Sequence, residues 1–126
     1  MSDLELCYLP ATEAIARFKA KTLSPVELLE ALIKRAEEVE PVINAFTYRH
    51  FDEAMDKARK AEAKYTSGKR TRALEGLPIG IKDENFIAGK PTSSGSLIMK
   101  DFVADKTSVG NERILRAGGI VHARTA

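Results

Sequence analysis

Apolar positions recur along the chain with two different periods, and the switches between them mark the predicted elements. From Ala11 to Ala20, Ile15 and Phe18 stand three apart with Ala11 and Ala14 on the same side, the spacing of a short amphipathic helix. Lys19-Ala20-Lys21-Thr22 ends it. The next helix carries the clearest start signal, Ser24-Pro25-Val26-Glu27, a capping box with proline at the first helical position. Leu29, Leu32, Ile33, Ala36 and Val39 form its apolar stripe, with Lys34, Arg35, Glu37 and Glu38 outside it, and Pro41 is expected to stop it. Val42 to Tyr48, rich in β-branched and aromatic residues, predicts a short strand. Helical spacing returns from Phe51 to Tyr65, with Met55, Ala58 and Ala61 on a narrow apolar face and Thr66-Ser67-Gly68 closing it.

The second half reads differently. Leu77 to Ile81 is an apolar strand that delivers Lys82 to its C-terminal end, and a loop dense in Gly, Pro and small hydroxyl residues runs on to Ser96. Leu97-Ile98-Met99 is a brief apolar patch and 101–106 a loop. Thr107 to Ala117 predicts a helix with Val109, Ile114 and Leu115 inward and Gly118 just past its end; Ile120-Val121 then begins a second buried strand. Strand, helix and strand in that order imply a crossover with parallel pairing. The expected fold class is α/β in a single unit over 1–126. It divides into a helical part at 11–65, a basic loop at 66–73, a strand–lysine–loop segment at 74–96 and a helix–strand segment at 107–121.

Composition narrows the classes. Hydrophobic residues at 44% and charged residues at 30% describe an ordinary globular chain rather than a disordered one. Twenty basic against 18 acidic residues are nearly balanced, which argues against a dedicated nucleic-acid or membrane-surface protein. The single cysteine, Cys7, excludes an intrachain disulfide and any multi-cysteine metal site, and reads as a small hydrophobe. Neither a signal peptide nor a membrane-length apolar run is evident, so a cytoplasmic protein is expected. Between 57 and 72, seven basic side chains (Lys57, Arg59, Lys60, Lys64, Lys69, Arg70, Arg72) face one acidic residue, Glu62. A solvated helix face running into a loop accounts for them better than a phosphate-contacting patch, since no aromatic residue lies within Lys69 to Arg72.

Candidate chemistry converges on one residue. The sequence has no G-x-S-x-G elbow, S-x-x-K, H-E-x-x-H, P-loop or G-x-G-x-x-G. His50 and His122 stand far apart without carboxylate or cysteine neighbours at ligand spacing, and read as surface or strand-end residues. Thr92-Ser93-Ser94-Gly95-Ser96 offers hydroxyls, but a hydroxyl is a weak nucleophile until a base activates it, and a structural turn explains the cluster better. Lys82 is the stronger candidate. An ordinary lysine is almost wholly protonated at neutral pH, so a lysine base must be dried by its surroundings. Ile79 and Ile81 supply an apolar strand for that, Gly76 and Gly80 permit close backbone approach, and Asp83 falls on the opposite face of an extended chain.

Taken as blocks, Gly76-Leu77-Pro78-Ile79-Gly80-Ile81-Lys82-Asp83, then Ile87-Ala88-Gly89, then Pro91-Thr92-Ser93-Ser94-Gly95-Ser96 resemble the first part of the amidase signature family. Leu23-Ser24-Pro25-Val26-Glu27-Leu28, Ile43-Asn44-Ala45-Phe46 and Ile114 to Val121 resemble its flanks in the expected order. The resemblance implies the N-terminal part of that fold, a mixed sheet with helices, and a Ser–cis-Ser–Lys triad that hydrolyses a small-molecule amide to a carboxylic acid and ammonia or an amine. It implies that Lys82 is the terminal base, and that no metal or other cofactor is needed. Both triad serines belong to a later Gly- and Ser-rich signature, whereas only 83–126 follow Lys82 here. The expectation is therefore a truncated fragment, inactive alone, which either pairs with a missing C-terminal half or self-associates, with no nucleic acid and no membrane partner. The alternative parent is a glutamyl-tRNA(Gln) amidotransferase, in its amidase-like subunit, and a non-catalytic interaction or oligomerisation module is the reading from a different class. His122-Ala123-Arg124-Thr125 stands where the family more usually has Leu-Gly-Lys-Thr.

Overall fold

A computed structural model describes all residues 1–126. Five helices are α1 (Asp3–Cys7), α2 (Ala11–Ala20), α3 (Pro25–Ile43), α4 (Phe51–Ser67) and α5 (Val109–Arg116). Three strands are β1 (Phe46–Arg49), β2 (Pro78–Lys82) and β3 (Ile120–Thr125), with one 3-10 turn at Leu97–Met99. They form a single mixed sheet in the order β1-β3-β2, with β3 antiparallel to β1 and parallel to β2. The α/β class and the parallel crossover expected from the strand–helix–strand order are present.

Local chemistry explains most boundaries. Ser24 accepts the Glu27 N–H at 3.1 Å while the Glu27 carboxylate accepts the Ser24 N–H at 2.8 Å, so two of the helix's orphan donors are satisfied reciprocally. The same box recurs at Ser2 and Glu5 and starts α1, a five-residue helix the hydrophobic pattern does not reveal. Pro41 does not end α3. Lacking an N–H, it gives up only one hydrogen bond in the last turn, and the helix runs on to Ile43 before Asn44 turns left-handed at φ 47°. The strand expected from Val42 therefore begins only at Phe46. Buried Glu40 makes that junction tight: its two carboxylate oxygens accept the N–H groups of Ala45 and Phe46 at 3.2 and 2.9 Å.

Phe18 of α2, Leu23, Leu28 of α3 and Tyr65 of α4 form one apolar cluster, with the Phe18 and Tyr65 rings 5.6 Å apart. Leu29, Ala54 and Ala58 seat α3 and α4 against Ile120 of β3, and Ile81, Ile87 and Val121 form the core beside β2. One inward assignment fails, and the brief apolar patch lies open to solvent. Val109 is mostly exposed in the first turn of α5, and Leu97 and Ile98 are 88% and 96% exposed on their 3-10 turn.

A buried carboxylate ties the helical half to the sheet. Glu75 is almost fully enclosed, with Lys64 Nζ at 2.5 Å and Arg72 Nε at 2.7 Å, while its backbone carbonyl accepts the Tyr65 hydroxyl at 2.9 Å. Two of the basic residues read as solvated thus converge on a partner just outside the basic stretch. Gly118 (φ 96°) lies so close that a Cβ there would sit 2.7 Å from Glu75 Cα. Burial pushes the Glu75 carboxyl up, but the hydrogen bonds and charges of Lys64 and Arg72 outweigh it and hold the group below the usual carboxylate range. Such a group stabilises the fold above its unfolded pKa, about 4.3, and the contribution is lost as pH falls through the lower folded value. Glu75→Gln is expected to cost about 3 kcal/mol near neutral pH. Urea unfolding of both proteins should show this gap closing as the pH is taken from about 5 towards 3.

Candidate functional site: the end of strand β2

The parallel ladder of β2 on β3 carries one irregularity. Pro78 and Ile79 pair with Ile120 and Val121, then the register skips His122, so Gly80, Ile81 and Lys82 pair with Ala123, Arg124 and Thr125. The bulged His122 Nδ1–H donates to the Ile79 carbonyl at 3.1 Å, and its ring stacks on Phe51 with 14° between planes. Burial pushes the His122 imidazole pKa down against the opposing effect of that carbonyl. His122 is thus half-buried within the strand rather than on the surface, and its carbonyl accepts the His50 N–H at 2.8 Å. Burial and then the Lys90 charge also lower the His50 imidazole pKa, and its Nε2 is buried without a partner.

Beyond the bulge, Arg124 lies beside Ile81 on the covered side of β2, and Thr125 lies beside Lys82. The Asp83 N–H extends the ladder by donating to the Thr125 carbonyl at 2.7 Å. Lys82 and Asp83 then separate as alternation requires: Lys82 is exposed and Asp83 is buried. The expectation that these residues dry the Lys82 amine fails. Gly80, two residues earlier on the same face, is also exposed and carries no side chain, so nothing in the strand shields the lysine stem.

Asp83 instead organises the loop. Its carboxylate accepts the Ser93 N–H at 2.9 Å and, through a short bond, the Ser93 hydroxyl; its carbonyl accepts the Ser94 N–H at 2.9 Å. Ser94 (φ 51°) and Gly95 (φ 67°) make the left-handed turn, Gly95 N–H donates to Ser93 Oγ, and Ser96 Oγ accepts the Ile98 N–H. The Ser93 and Ser96 hydroxyls are therefore occupied by their own turn, and no serine hydroxyl bonds to Lys82. Thr92 is fully buried, and its N–H donates to the Phe102 carbonyl at 3.1 Å. Asn111 of α5 donates to the Phe86 carbonyl at 3.1 Å, fixing the outer limb of the loop.

Arg124 closes the site from below. It is fully buried, and its guanidinium donates to the carbonyls of Ile81, Lys82, Asn85 and Pro91. Burial lowers its pKa, and the Asp83 charge pushes it back up. The hydrophobic pattern passes over this residue. The available signal is a basic side chain in an otherwise apolar stretch, Ile120-Val121-His122-Ala123. Elsewhere, Cys7 Sγ faces the Ala31 carbonyl at 3.6 Å, and burial pushes its thiol pKa up. No three His, Cys, Asp or Glu side chains are grouped to hold a metal ion, and no helix is long and apolar enough to cross a membrane.

Lys82 and the glycine- and serine-rich loop lie outside the carboxyl end of a parallel strand, which is where α/β sheets place their ligands. Residues 27–126 match the family model for Amidase, and the chain belongs to that family. It is 33% identical over 125 residues to an acylamidase of Rhodococcus erythropolis, covering 99% of this chain and 26% of that protein. It is likewise 33% identical over 105 residues to the amidase-like subunit of the glutamyl-tRNA(Gln) amidotransferase of Gloeothece citriformis, covering 83% of this chain and 22% of the relative. Among solved structures, a bacterial aryl acylamidase of the amidase signature enzymes superposes with a TM-score of 0.87 at 27% identity, over 96% of this chain and 26% of that one. The chain spans about a quarter of the length of the relatives it matches.

The geometry separates two neighbours. Asp83→Ala would strand the Ser93 donors and remove the carboxylate facing Arg124, and is expected to cost about 3 kcal/mol. Lys82→Ala, at an exposed position, is expected to change stability by less than about 0.5 kcal/mol. Urea unfolding of the two variants checks the contrast.

Proposed function

We propose that this chain is the lysine-bearing part of an amidase, acting on a carboxamide to give a carboxylic acid and ammonia or an amine. In this reading Lys82 is the terminal base of a Ser–cis-Ser–Lys relay. The observation that carries it is the placement of Lys82 at the end of β2, inside the stretch that matches the Amidase family. There the neutral amine would take a proton from a relay serine, whose own oxygen takes one from the nucleophilic serine as that attacks the amide carbonyl. The proton then returns to the leaving nitrogen, and water, deprotonated through the same relay, cleaves the acyl-serine ester to release the carboxylic acid and restore the serine. No cofactor enters the scheme.

This reading does not take Ser93, Ser94 or Ser96 as the two serines of the relay, because they resemble a loop ahead of the family's serine signature. Ser93 and Ser96 are moreover spent on turn hydrogen bonds. In this reading the relay serines come from the rest of the domain, since the chain spans about a quarter of its relatives' length. Water must leave the Lys82 face for the amine to be neutral, and the same part of the domain supplies that cover. Acylamidase and amidotransferase relatives match at equal identity, so the reaction is amide C–N hydrolysis with neither acyl group favoured.

The test replaces the matching quarter of the Rhodococcus erythropolis acylamidase with residues 1–126 of this chain. The fusion is expected to hydrolyse an acyl anilide, and Lys82→Met within it to lower kcat by about a thousandfold or more. The unfused chain is expected to give no turnover. Full activity of the Lys82→Met fusion, or Lys82-dependent turnover by the unfused chain, would remove the reading.

A further inference from the structure

Every nitrogen of the Arg124 guanidinium is spent on main-chain oxygens around Lys82. Nε donates to the Ile81 carbonyl at 3.3 Å. Nη2 donates to the Lys82 carbonyl at 3.3 Å and, through a short bond, to that of Asn85. Nη1 donates to the Pro91 carbonyl at 3.0 Å and lies 3.5 Å from Thr92 Oγ1. The acceptors come from the last two residues of β2, from the turn that follows and from the far limb of the loop. One planar group thus joins the start of the Lys82 loop to its return.

A fully buried cation is normally paired with a carboxylate in direct contact. Here the nearest carboxylate, Asp83, gives its oxygens to Ser93, and carbonyl dipoles take the guanidinium instead. Only a rigid fork can serve four carbonyls spread over eleven residues; an ammonium concentrates its donors on a single atom. The bulge at His122 aims the fork, since it sets Arg124 beside Ile81 rather than Lys82. Lys82 therefore has its carbonyl tied inward while its side chain points outward.

We propose that Arg124 is the positioning residue for Lys82: by gripping the Ile81, Lys82 and Asn85 carbonyls it fixes the direction in which the lysine leaves the sheet, and hence its approach to an amide substrate. The inference rests on the reading of Lys82 as the reacting base, but its test does not use activity. Arg124→Lys keeps the charge and loses the fork, Arg124→Ala loses both, and Glu75→Gln serves as a destabilised control at the other end of β2. In the 126-residue chain the Lys82 carbonyl and side-chain 13C resonances are followed by NMR, together with amide exchange at Asn85, Ser93 and Ser94.

The expected result for Arg124→Lys is about thirtyfold faster exchange at those amides, with α3 and α4 protected as before. The Lys82 resonances should shift and split into more than one conformer, while Glu75→Gln leaves them in place. Millimolar ethylguanidinium, and not ethylammonium, is expected to restore the single Lys82 signal in Arg124→Ala; should that variant fail to fold, Arg124→Lys against Glu75→Gln decides. Unmoved Lys82 resonances in Arg124→Lys, or the same shift in Glu75→Gln, would overturn the positioning role. Either result leaves the fusion experiment on Lys82 unaffected, so the two readings fail separately.

Discussion

The parallel pairing of β2 with β3 is the constraint from which the rest follows. Two parallel neighbours cannot be joined by a tight turn, so the chain must leave β2 at Lys82, travel back, and enter β3 at Ile120. The return path has two parts. The irregular loop from Asp83 onward is held by Asp83, Arg124 and Asn111, and α5 then packs Leu115 against the Ile81–Val121 core. An irregular loop is often described as decoration on a scaffold. Here the loop and the scaffold share their hydrogen bonds, since the guanidinium that satisfies the loop carbonyls is itself a β3 residue.

Buried charges do this work at three junctions, each with a different partner. Glu40 accepts backbone N–H groups where α3 turns into β1. Glu75 is met by two cations where the helical half reaches β2. Arg124 donates to carbonyls under the Lys82 loop. Burying a charge repays its desolvation only when geometry is good and every lone pair or proton is used, so each junction tolerates little movement. The apolar clusters supply the bulk of the burial and little direction. The charged junctions specify how strands and helices meet.

That division explains what could be read from the chain. Short-range signals were legible: the Ser24–Glu27 box, the Gly68 and Gly118 helix ends, and the alternation that separates Lys82 from Asp83. The Ser2–Glu5 box was equally legible but lies ahead of any apolar repeat, so the period alone passes over α1. Pro41 misleads because a missing N–H matters less in a last turn, where Glu40 provides for the following amides through its side chain. Glu75 and Arg124 were not legible as junction residues. Their partners lie up to 43 residues away, and no local pattern reports such a meeting.

Lys82 shows where that limit falls on function. Its place at the end of β2 follows from the ladder. Its solvation does not follow, because dryness belongs to whatever packs over a face, and Gly80 leaves that face bare in these residues. A lysine competent as a base must lose water without gaining a carboxylate, or the proton is held in place. The fold meets the second condition by itself: it turns Asp83 inward and binds it to Ser93. Protein covering the open face then has only to exclude water, since the nearest carboxylate in sequence has already been turned away.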